Sequence, residues 1–352
     1  MKINHIQIEN VRIIRNMELE PCSGLNFIYG DNGAGKTSVL EAVFLLGQGK
    51  SFRHSEAGPL ITKGQKRAQV VADLQSDSGT FSKLGIQRSN QQFIARHAGK
   101  DVSKRSKLFR LLPLQLITPQ SHELIERGPE LRRRYLDFGL FHVEPSYHQV
   151  LMSYHRALKQ RNAALRNRDI RLAQSFNSYL VTNAKIIADR RQWFLAQIER
   201  NLEEFLSDLN FPAKVSLDLS KGWKSGISME EALVKTEVQD LAQGFTSAGI
   251  HRAQLKILAD KSAANKILSR GQQKLLVYGL VFSVSKLIKE KIMEAPLLLI
   301  DDLNAELDDS NARKILEYLQ DFGLQLFITT LDIQRLGLPE KAKVFHVKHG
   351  ST

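Results

Sequence analysis

The sequence predicts an α/β fold in which a mostly helical domain is inserted into an α/β domain. Three observations lead to this prediction. A short apolar strand over residues 25–29 runs into a glycine-rich loop and a helix. A second apolar strand, at 297–300, ends in two aspartates. Between these strands, from about residue 121 to 210, apolar residues recur at steps of three and four, the period of an amphipathic helix.

The predicted elements follow the chain in order. In the first part, strands are predicted at 3–8 and 25–29, a helix at 37–47 ending at Gly47, and further strands within 70–94, where turn residues separate them. After the helical region, strands are predicted at 213–219 and 253–259, a long helix at 271–290 and a buried strand at 297–300.

The order of these elements also predicts the domain organisation. The sequence has no internal repeat, low-complexity tract or linker rich in proline and glycine. The helical region is therefore expected to be an insertion, not a separate domain on a tether. We expect residues 1–115 and 236–352 to form a head domain, and 116–235 to form the mainly helical inserted domain.

The composition indicates a soluble protein. The chain has 352 residues, of which 42% are hydrophobic and 25% charged, and this length is sufficient for two cores. No apolar run approaches the ~20 residues that span a bilayer, and the first residues lack the apolar stretch of a secretory signal. The single cysteine, Cys22, cannot form an intramolecular disulfide. We therefore expect a cytoplasmic protein without a membrane partner.

The charge balance suggests a polyanionic partner. The net charge is +13, and residues 1–110 hold 17 lysines and arginines against nine acidic residues. Two segments, 96–110 and 156–171, each hold six basic residues and one aspartate. Lys104, Arg105 and Lys107 in the first segment are the candidate contacts to DNA phosphates. A solvated charged face is the alternative reading, and no motif indicates base-specific recognition.

The glycine-rich loop predicts a site for ATP and Mg²⁺. Glycines allow backbone N–H groups to turn inward around phosphate oxygens, and the following helix directs its positive end at the same anion. Lys36 is expected to contact the outer phosphates, and the Thr37 hydroxyl is expected to bind Mg²⁺. The candidate nucleotide-binding residues of this loop are Gly30, Asp31, Asn32, Gly33, Ala34, Gly35, Lys36, Thr37 and Ser38.

The aspartates after the apolar strand at 297–300 are the second chemical signal. Ligands of α/β sheets bind at the carboxyl ends of the strands, where these carboxylates are predicted to lie. Asp301 is expected to hold Mg²⁺ through water, because hard cations prefer oxygen ligands. Asp302, expected to point elsewhere, is the candidate residue for orienting the attacking water. Without the glycine-rich loop, the two aspartates would indicate only a strand leaving the core.

The segment Leu268–Lys274 is the third signal. Ser269 and Gln272 have the spacing of a capping box at the start of a helix, and such an end can also bind an anion. The segment resembles the signature motif of the ABC ATPase superfamily, with Arg270 in place of the first glycine. This resemblance implies an ABC-type head, like those of Rad50 and SMC proteins. It also implies that Ser269, Gly271 and Gln272 meet the γ-phosphate of ATP held by a second head, so that ATP is sandwiched in a homodimer.

Within that superfamily, the chain is most similar to the RecF family. The similar segments are YGDNGAGKTSVLEAV, LPLQLITP, PELRRRYLDFGLFH, LKQRNAALR, GIHRAQL, LSRGQQK and LLIDDLNAELD. The resemblance implies ATP-controlled binding of gapped or single-stranded DNA. It also implies that the protein acts with RecO and RecR to support RecA assembly, DNA repair, recombination and replication, and the SOS response.

Several positions depart from the superfamily pattern or have two readings. Asp302 stands where superfamily members commonly carry glutamate, and Thr330 stands in place of the switch histidine, so the resemblance implies slow, DNA-stimulated hydrolysis that releases the dimer. Gln120 falls where a metal-contacting Q-loop glutamine is expected, but an exposed loop glutamine is equally consistent with the sequence. Arg12 and the pair His251-Arg252 are either contacts to the nucleotide or partner head, or surface residues.

Two other function classes fit part of the sequence. One is the ATPase subunit of a membrane transporter, against which stand the basic excess and the RecF-like segments outside the ATP site. The other is a structural clamp of the SMC or Rad50 type. Such clamps carry long heptad arms, and the roughly 100 helical residues available here are too few for them.

Overall fold

The computed structural model describes residues 1–54, 56, 58–303, 307–334 and 341–351. The strands are β1 (Lys2–Val11), β2 (Ile14–Leu19), β3 (Leu25–Tyr29), β4 (Arg67–Gln75), β5 (Phe81–Ser89), β6 (Phe93–His97), β7 (Lys100–Asp101), β8 (Leu114–Ile117), β9 (Val215–Ser220), β10 (Gln254–Ala259), β11 (Ser262–Ala263), β12 (Leu297–Ile300), β13 (Leu326–Thr330) and β14 (Lys343–His346).

The helices are α1 (Lys36–Gln48), α2 (Arg105–Leu111), α3 (Glu123–Glu126), α4 (Pro129–Val143), α5 (Tyr147–Arg166), α6 (Ile170–Ser175), α7 (Asn177–Asp208), α8 (Met229–Gln243), α9 (Ala264–Ile267), α10 (Arg270–Ile292) and α11 (Asp309–Asp321). In the described part of the chain, no helix has the length and apolar character needed to cross a membrane.

The chain divides into two compact units, the first formed by residues 1–121 and 274–352 and the second by residues 122–273. The predicted boundary at residue 235 falls inside the second unit. The reason is strand pairing, because β9 pairs with β10 and β10 with β11, which keeps the chain in the second unit beyond α8. Such long-range pairing leaves no compositional mark in the sequence.

The first unit contains an antiparallel sheet with the strand order β2-β1-β4-β5-β6-β7. In β4, every second residue is buried (Ala68, Val70, Ala72 and Leu74), as expected for a strand with one face on the core. This sheet includes the strands predicted at 3–8 and within 70–94.

A parallel sheet in the same unit has the order β14-β3-β13-β12-β8. All residues of β12 and β13 are buried, as is typical of strands covered on both faces. The predicted bounds of β3 and β12 are confirmed, whereas β8, β13 and β14 of this sheet and β2 of the antiparallel sheet are not predicted from the sequence. Since the strands are parallel, the loops after β3, β12 and β13 leave the same edge of the sheet.

Helix α1 continues past the residue at which it was expected to end. It runs to Gln48, and Gly49 takes the left-handed conformation, with φ 62°, that ends many helices. Gly47 lies inside the helix, where a Cβ would be 3.0 Å from the carbonyl oxygen of Leu112. Gly47 therefore permits close packing and does not end the helix.

The second unit is mainly helical, as predicted for most of its length, with a three-stranded antiparallel sheet of β11, β10 and β9. Two buried arginines of this unit pair with carboxylates. Arg161 on α5 pairs with the fully buried Asp240 at 2.8 Å, and Arg191 on α7 pairs with Asp137 at 2.8 Å. Arg161 is therefore not available to DNA, although the charge of segment 156–171 had suggested it, because breaking a buried pair is costly.

Candidate nucleotide-binding site

The loop between β3 and α1 has backbone conformations that require glycine. Gly30 has φ 150°, and a Cβ there would collide with the carbonyl oxygen of Val347. Gly35, with φ 118°, is the N-cap residue of α1. Because glycine has no side chain, the N-cap residue makes no side-chain hydrogen bond to the N–H groups of the first helical turn. The loop thus presents backbone donors and a helix N-terminus, the arrangement that binds phosphate.

Lys36 lies across this loop. Its Nζ donates hydrogen bonds to the carbonyl oxygens of Gly30 at 2.7 Å and Asp31 at 3.0 Å. Burial lowers the pKa of Lys36, and the carboxylates of Asp302, Asp301 and Asp31 act in the opposite direction. The ammonium group is therefore held beside the loop with carboxylates near it.

The loop opens into a cavity of about 390 Å³. It is lined by residues of the loop, of the β12 and β13 ends and of two flanking segments: Arg12, Ile13, Asn32, Gly33, Gly35, Lys36, Thr37, Ser38, Arg53, Pro119, Asp301, Asp302 and Thr329. The structure thus brings six of the nine predicted loop residues and both aspartates to one cavity, whereas Gly30, Asp31 and Ala34 do not line it. Of the other predicted loop residues, Ala34 is buried, and its N–H donates to the carbonyl oxygen of Asp31 at 3.1 Å.

Thr37 and Asp301 are in direct contact. The Thr37 hydroxyl donates to Asp301 Oδ1 at 3.0 Å. The backbone N–H of Asp301 donates to the carbonyl oxygen of Ile117 on β8, which fixes the residue at the sheet edge. Two oxygens about 3 Å apart match adjacent ligands on an octahedral Mg²⁺ ion, whose bonds are ~2.1 Å long. This hydroxyl and carboxylate therefore fit a magnesium ion.

Asp302 lies in the same cavity as Asp301, whereas it was expected to point elsewhere. Its backbone has a left-handed φ of 58°, and its N–H donates to the Thr329 hydroxyl at 2.8 Å. Its Oδ1 is buried and has no hydrogen-bond partner among the described residues. A buried carboxylate oxygen without a donor is costly, so this atom fits a role as acceptor for a ligand or water in the cavity.

Thr329 connects the two carboxylates and is not predicted from the sequence. Its hydroxyl donates to Asp301 Oδ1 at 2.8 Å and accepts the N–H of Asp302. The neighbouring Thr330, which stands in the sequence position of the switch histidine, donates instead to the carbonyl oxygen of Asp332 at 3.2 Å. Side chains alternate along a strand, and the sequence alone does not show which of two adjacent threonines faces the acidic pair.

Burial raises the pKa of Asp301, and the hydrogen bonds from Thr329 and Thr37 act in the opposite direction. Asp301 therefore takes up a proton at a higher pH than an ordinary aspartate. Since Mg²⁺ requires the carboxylate, metal-dependent nucleotide binding should be lost on acidification through this raised pKa.

Thr329→Val should move that loss to a still higher pH, because it removes a hydrogen bond that favours the carboxylate. At neutral pH it should weaken Mg²⁺-dependent ATP binding by roughly tenfold, as one hydrogen bond to a charged group contributes about 1.5–3 kcal/mol. Titrations of ATP at several Mg²⁺ concentrations and pH values test this. Thr330→Val is the matched control and should leave the pH midpoint unchanged; equal behaviour of the two variants would remove Thr329 from the site.

Arg12 is fixed in the cavity wall. Its Nε and Nη2 donate to the fully buried Glu41 on α1 at 2.7 and 2.8 Å. The Ser51 hydroxyl also donates to Glu41 and accepts the backbone N–H groups of Arg53 and His54 at 3.0 Å. Glu41 thus anchors both cavity arginines, Arg12 directly and Arg53 through Ser51. Arg12 is suggested by the sequence, whereas Glu41 and Arg53 are not.

Residues 268–273 of the signature segment belong to the second unit, and the predicted capping box is present there. The N–H of Ser269 donates to Gln272 Oε1 at 2.9 Å, and the N–H of Gln272 donates to the Ser269 hydroxyl at 3.3 Å. Ser269, Arg270 and Gly271 are exposed, and a Cβ on Gly271 would meet no atom within 4 Å. The start of α10 therefore presents an open surface.

Other predicted residues lie outside the cavity lining. Gln120 is exposed, and its neighbour Pro119 lines the cavity instead. In the second unit, His251 bonds to the Tyr154 hydroxyl and the Thr246 carbonyl oxygen, and burial lowers its pKa to about 4, so the imidazole is neutral. Arg252 lies over the Phe245 ring at 5.1 Å. Glu306, which follows the acidic strand in the superfamily pattern, lies outside the described residues.

Comparisons with known proteins identify the family of this chain. The chain matches the RecF/RecN/SMC N-terminal domain family over residues 2–351. It is 36% identical to the DNA replication and repair protein RecF of Thioalkalivibrio sulfidiphilus (strain HL-EbGR7), over 100% of this chain and 99% of that protein. It is 35% identical to the protein of the same name from Pseudomonas aeruginosa (strain LESB58), over 99% of this chain and 97% of that protein.

Solved structures show the same fold. The recombination mediator protein RecF-ATP in the RecFOR pathway superposes with a TM-score of 0.85 and 25% identity, over 99% of this chain and 96% of that chain. An SMC head bound to the C-terminal winged-helix domain of ScpA superposes with a TM-score of 0.60 and 16% identity, over 96% of this chain and 92% of that chain. The ABC-type, SMC-head-like fold predicted from the sequence is confirmed.

Proposed function

This chain belongs to the RecF family, and we propose that it is an ATP-controlled DNA-binding protein of recombinational repair. The observation that carries the proposal is one cavity lined by the phosphate-binding loop with Lys36, by the Thr37–Asp301 pair and by Asp302, whose Oδ1 has no hydrogen-bond partner among the described residues. The relatives bear the name DNA replication and repair protein, and one solved relative is described as RecF-ATP. Both support ATP as the nucleotide and DNA as the substrate.

ATP would be held by the loop residues 30–38, with its phosphates against the N-terminus of α1 and Lys36. Thr37 and Asp301 would hold Mg²⁺, which when bound neutralises phosphate charge. Asp302, whose Oδ1 faces no donor among the described residues, would accept a proton from the attacking water. An aspartate reaches one methylene less far than a glutamate, so hydrolysis should be slow and serve as a switch.

ATP would also join two copies of the chain. The chain carries one phosphate-binding loop and one signature segment, and Ser269 and Gly271 at the start of α10 are exposed. We propose that these residues meet the γ-phosphate bound by a second copy, as the family resemblance implies. The homodimer would then be the ATP-bound state and the monomer the state after hydrolysis.

Ser269→Arg should block dimerisation in ATP and Mg²⁺, because the longer side chain would clash with the γ-phosphate bound by the second copy. Sedimentation should show the variant as a monomer where the unmodified protein dimerises, while ATP affinity stays within a few-fold. Ser269→Ala separates this clash from loss of the helix cap, which costs about 0.5–2 kcal/mol. Ser207→Arg, at an exposed position of α7, is the control for added charge. Equal dimer populations in Ser269→Arg and Ser207→Arg would contradict the proposal.

The DNA contact would be electrostatic and independent of sequence. Lys104, Arg105 and Lys107 are exposed around the start of α2. Counterion release makes such binding weaken with salt, with a log–log slope of about 0.7 to 0.9 for each phosphate contacted. Titration of labelled single-stranded, gapped and duplex DNA at several salt concentrations, with and without ATP, tests the function. A DNA affinity that changes neither with salt concentration nor with ATP would contradict the proposed function.

The wider pathway is proposed from the family. The solved relative is described within the RecFOR pathway, so we propose RecR and RecO as partners in the cytoplasm, and a role in RecA assembly on gapped DNA, in recombination and in the SOS response. Co-sedimentation with purified RecR, with and without ATP and DNA, tests the first of these contacts.

A further inference from the structure

Two arginines in the first unit share one aromatic ring. Arg88 lies on β5, Phe93 on the paired strand β6, and Arg105 is the first residue of α2. The guanidinium carbon of Arg88 is 5.9 Å from the centre of the Phe93 ring, and that of Arg105 is 5.3 Å from it. Both distances are within the range of a cation–π contact. Three chain segments therefore place two positive charges around one phenyl group.

Among the residues that the structure describes, these two charges have no acidic partner. In the described part of the chain, neither guanidinium forms a hydrogen bond or an ion pair with another residue. Two other basic residues of the same sheet do have acidic partners: Arg96 pairs with Asp101 at 2.9 Å and Lys83 with Asp73 at 3.4 Å. Burial lowers the pKa of Arg88, and the charge of Arg105 lowers it further, which shows that the two cations repel each other. Such a pair is stabilised by an anion between or beside the two groups.

The ring that carries the pair is held firmly by its neighbours. Phe93 packs against Gly49, where a Cβ would be 2.9 Å from the ring and 3.2 Å from Leu108 of α2. Gly49 ends helix α1, which begins at Lys36. The arginine pair and the phosphate-binding loop thus lie at opposite ends of one 13-residue helix, about 20 Å apart at 1.5 Å per residue. A fixed platform reduces the entropy lost when arginines bind a ligand.

We propose that Arg88 and Arg105, supported by Phe93, form a clamp for one phosphodiester group of a DNA backbone. The inference rests on the proposed DNA-binding function and assigns to it a site. A planar guanidinium donates two parallel hydrogen bonds to phosphate oxygens, so two of them match one phosphodiester group. Lys104 and Lys107 are exposed beside Arg105 and would contact the neighbouring phosphates. The net charge of +13 favours a polyanion over a peptide with a few carboxylates.

The test compares two double variants that remove the same charge. Arg88→Gln with Arg105→Gln removes the clamp, and Lys63→Gln with Lys66→Gln removes two exposed lysines of the same unit. Labelled single-stranded and duplex DNA are titrated against both variants at several salt concentrations in ATP and Mg²⁺, with the full-length protein. The clamp variant should bind DNA roughly tenfold more weakly, and its salt slope should fall by about 0.7 to 0.9, the share of one phosphate that is no longer neutralised. The control should change less than twofold in affinity.

Two further measurements make the result specific. Phe93→Leu keeps every charge and should still weaken the binding of DNA, because the arginines are no longer supported; an unchanged affinity would overturn the role of the ring. ATP affinity should be unaffected in all variants. If the two double variants affect DNA affinity equally, or if neither affects it, the clamp is wrong. The proposed DNA-binding function would still hold, because the unmodified protein binds DNA. If the unmodified protein binds no DNA, but binds a labelled acidic peptide that the clamp variant does not bind, both the clamp and the proposed function are wrong.

Discussion

Asp302→Asn should lower the rate of ATP hydrolysis by about two to four orders of magnitude, the usual contribution of a general base. Asp302 lines the cavity of the phosphate-binding loop, and its buried Oδ1 has no hydrogen-bond partner among the described residues. An amide has the same shape but does not take up the proton of the attacking water. The hydrogen bond from the backbone N–H of residue 302 to the Thr329 hydroxyl is kept in the variant, so ATP affinity should change only a few-fold. Single-turnover hydrolysis and ATP titration together measure the two effects.

The neighbouring carboxylate provides the control for this variant. Asp301→Asn should abolish Mg²⁺-dependent ATP binding, because Asp301 contacts Thr37 and would hold the metal. In the Asp302→Asn protein, ATP-bound dimers should persist longer than in the unmodified protein, which sedimentation over time shows. If Asp302→Asn hydrolyses ATP at the unmodified rate while binding it normally, another residue is the base.

Lys36→Met should weaken ATP binding by roughly 10- to 100-fold, the effect of removing charge-assisted hydrogen bonds of about 1.5–3 kcal/mol. Lys36 Nζ lies over the loop at the carbonyl oxygens of Gly30 and Asp31, beside the two carboxylates. Methionine keeps the length of the side chain and removes its charge. Helix α1 is started by its backbone and by Gly35, so the fold should be unaffected.

Lys50→Met is the matched control, because Lys50 is exposed just beyond the other end of α1. Calorimetric titration of ATP, with thermal unfolding of each variant, separates loss of binding from loss of fold. Equal ATP affinities for Lys36→Met and Lys50→Met, in folded proteins, would remove Lys36 from the nucleotide site.

The sequence alone determined those features that depend on residues close together in the chain. The bounds of β3 and β12 follow from short apolar runs, and the capping box of Ser269 and Gln272 follows from a three-residue spacing. The loop between β3 and α1 is predicted because glycines, a lysine and a threonine must be adjacent in the chain to surround phosphate. Parallel strands then bring the end of β12 to the same edge as the loop, so the place of Asp301 is also predictable, whereas the entry of Asp302 into the same cavity is not.

Tertiary structure alone decided the contacts between residues that are distant in the chain. Thr329 rather than Thr330 meets the acidic pair because the orientation of β13 is set by its neighbours. Glu41 binds Arg12, which is 29 positions away in the chain. Arg161 is not part of a basic surface, because it pairs in the core with Asp240, 79 positions away. The unit boundary at Gln273 depends likewise on strand pairing. Such contacts arise from packing, which balances the burial of apolar groups against the pairing of polar groups over the whole domain. They therefore cannot be predicted from the spacing of residues that are close in the sequence.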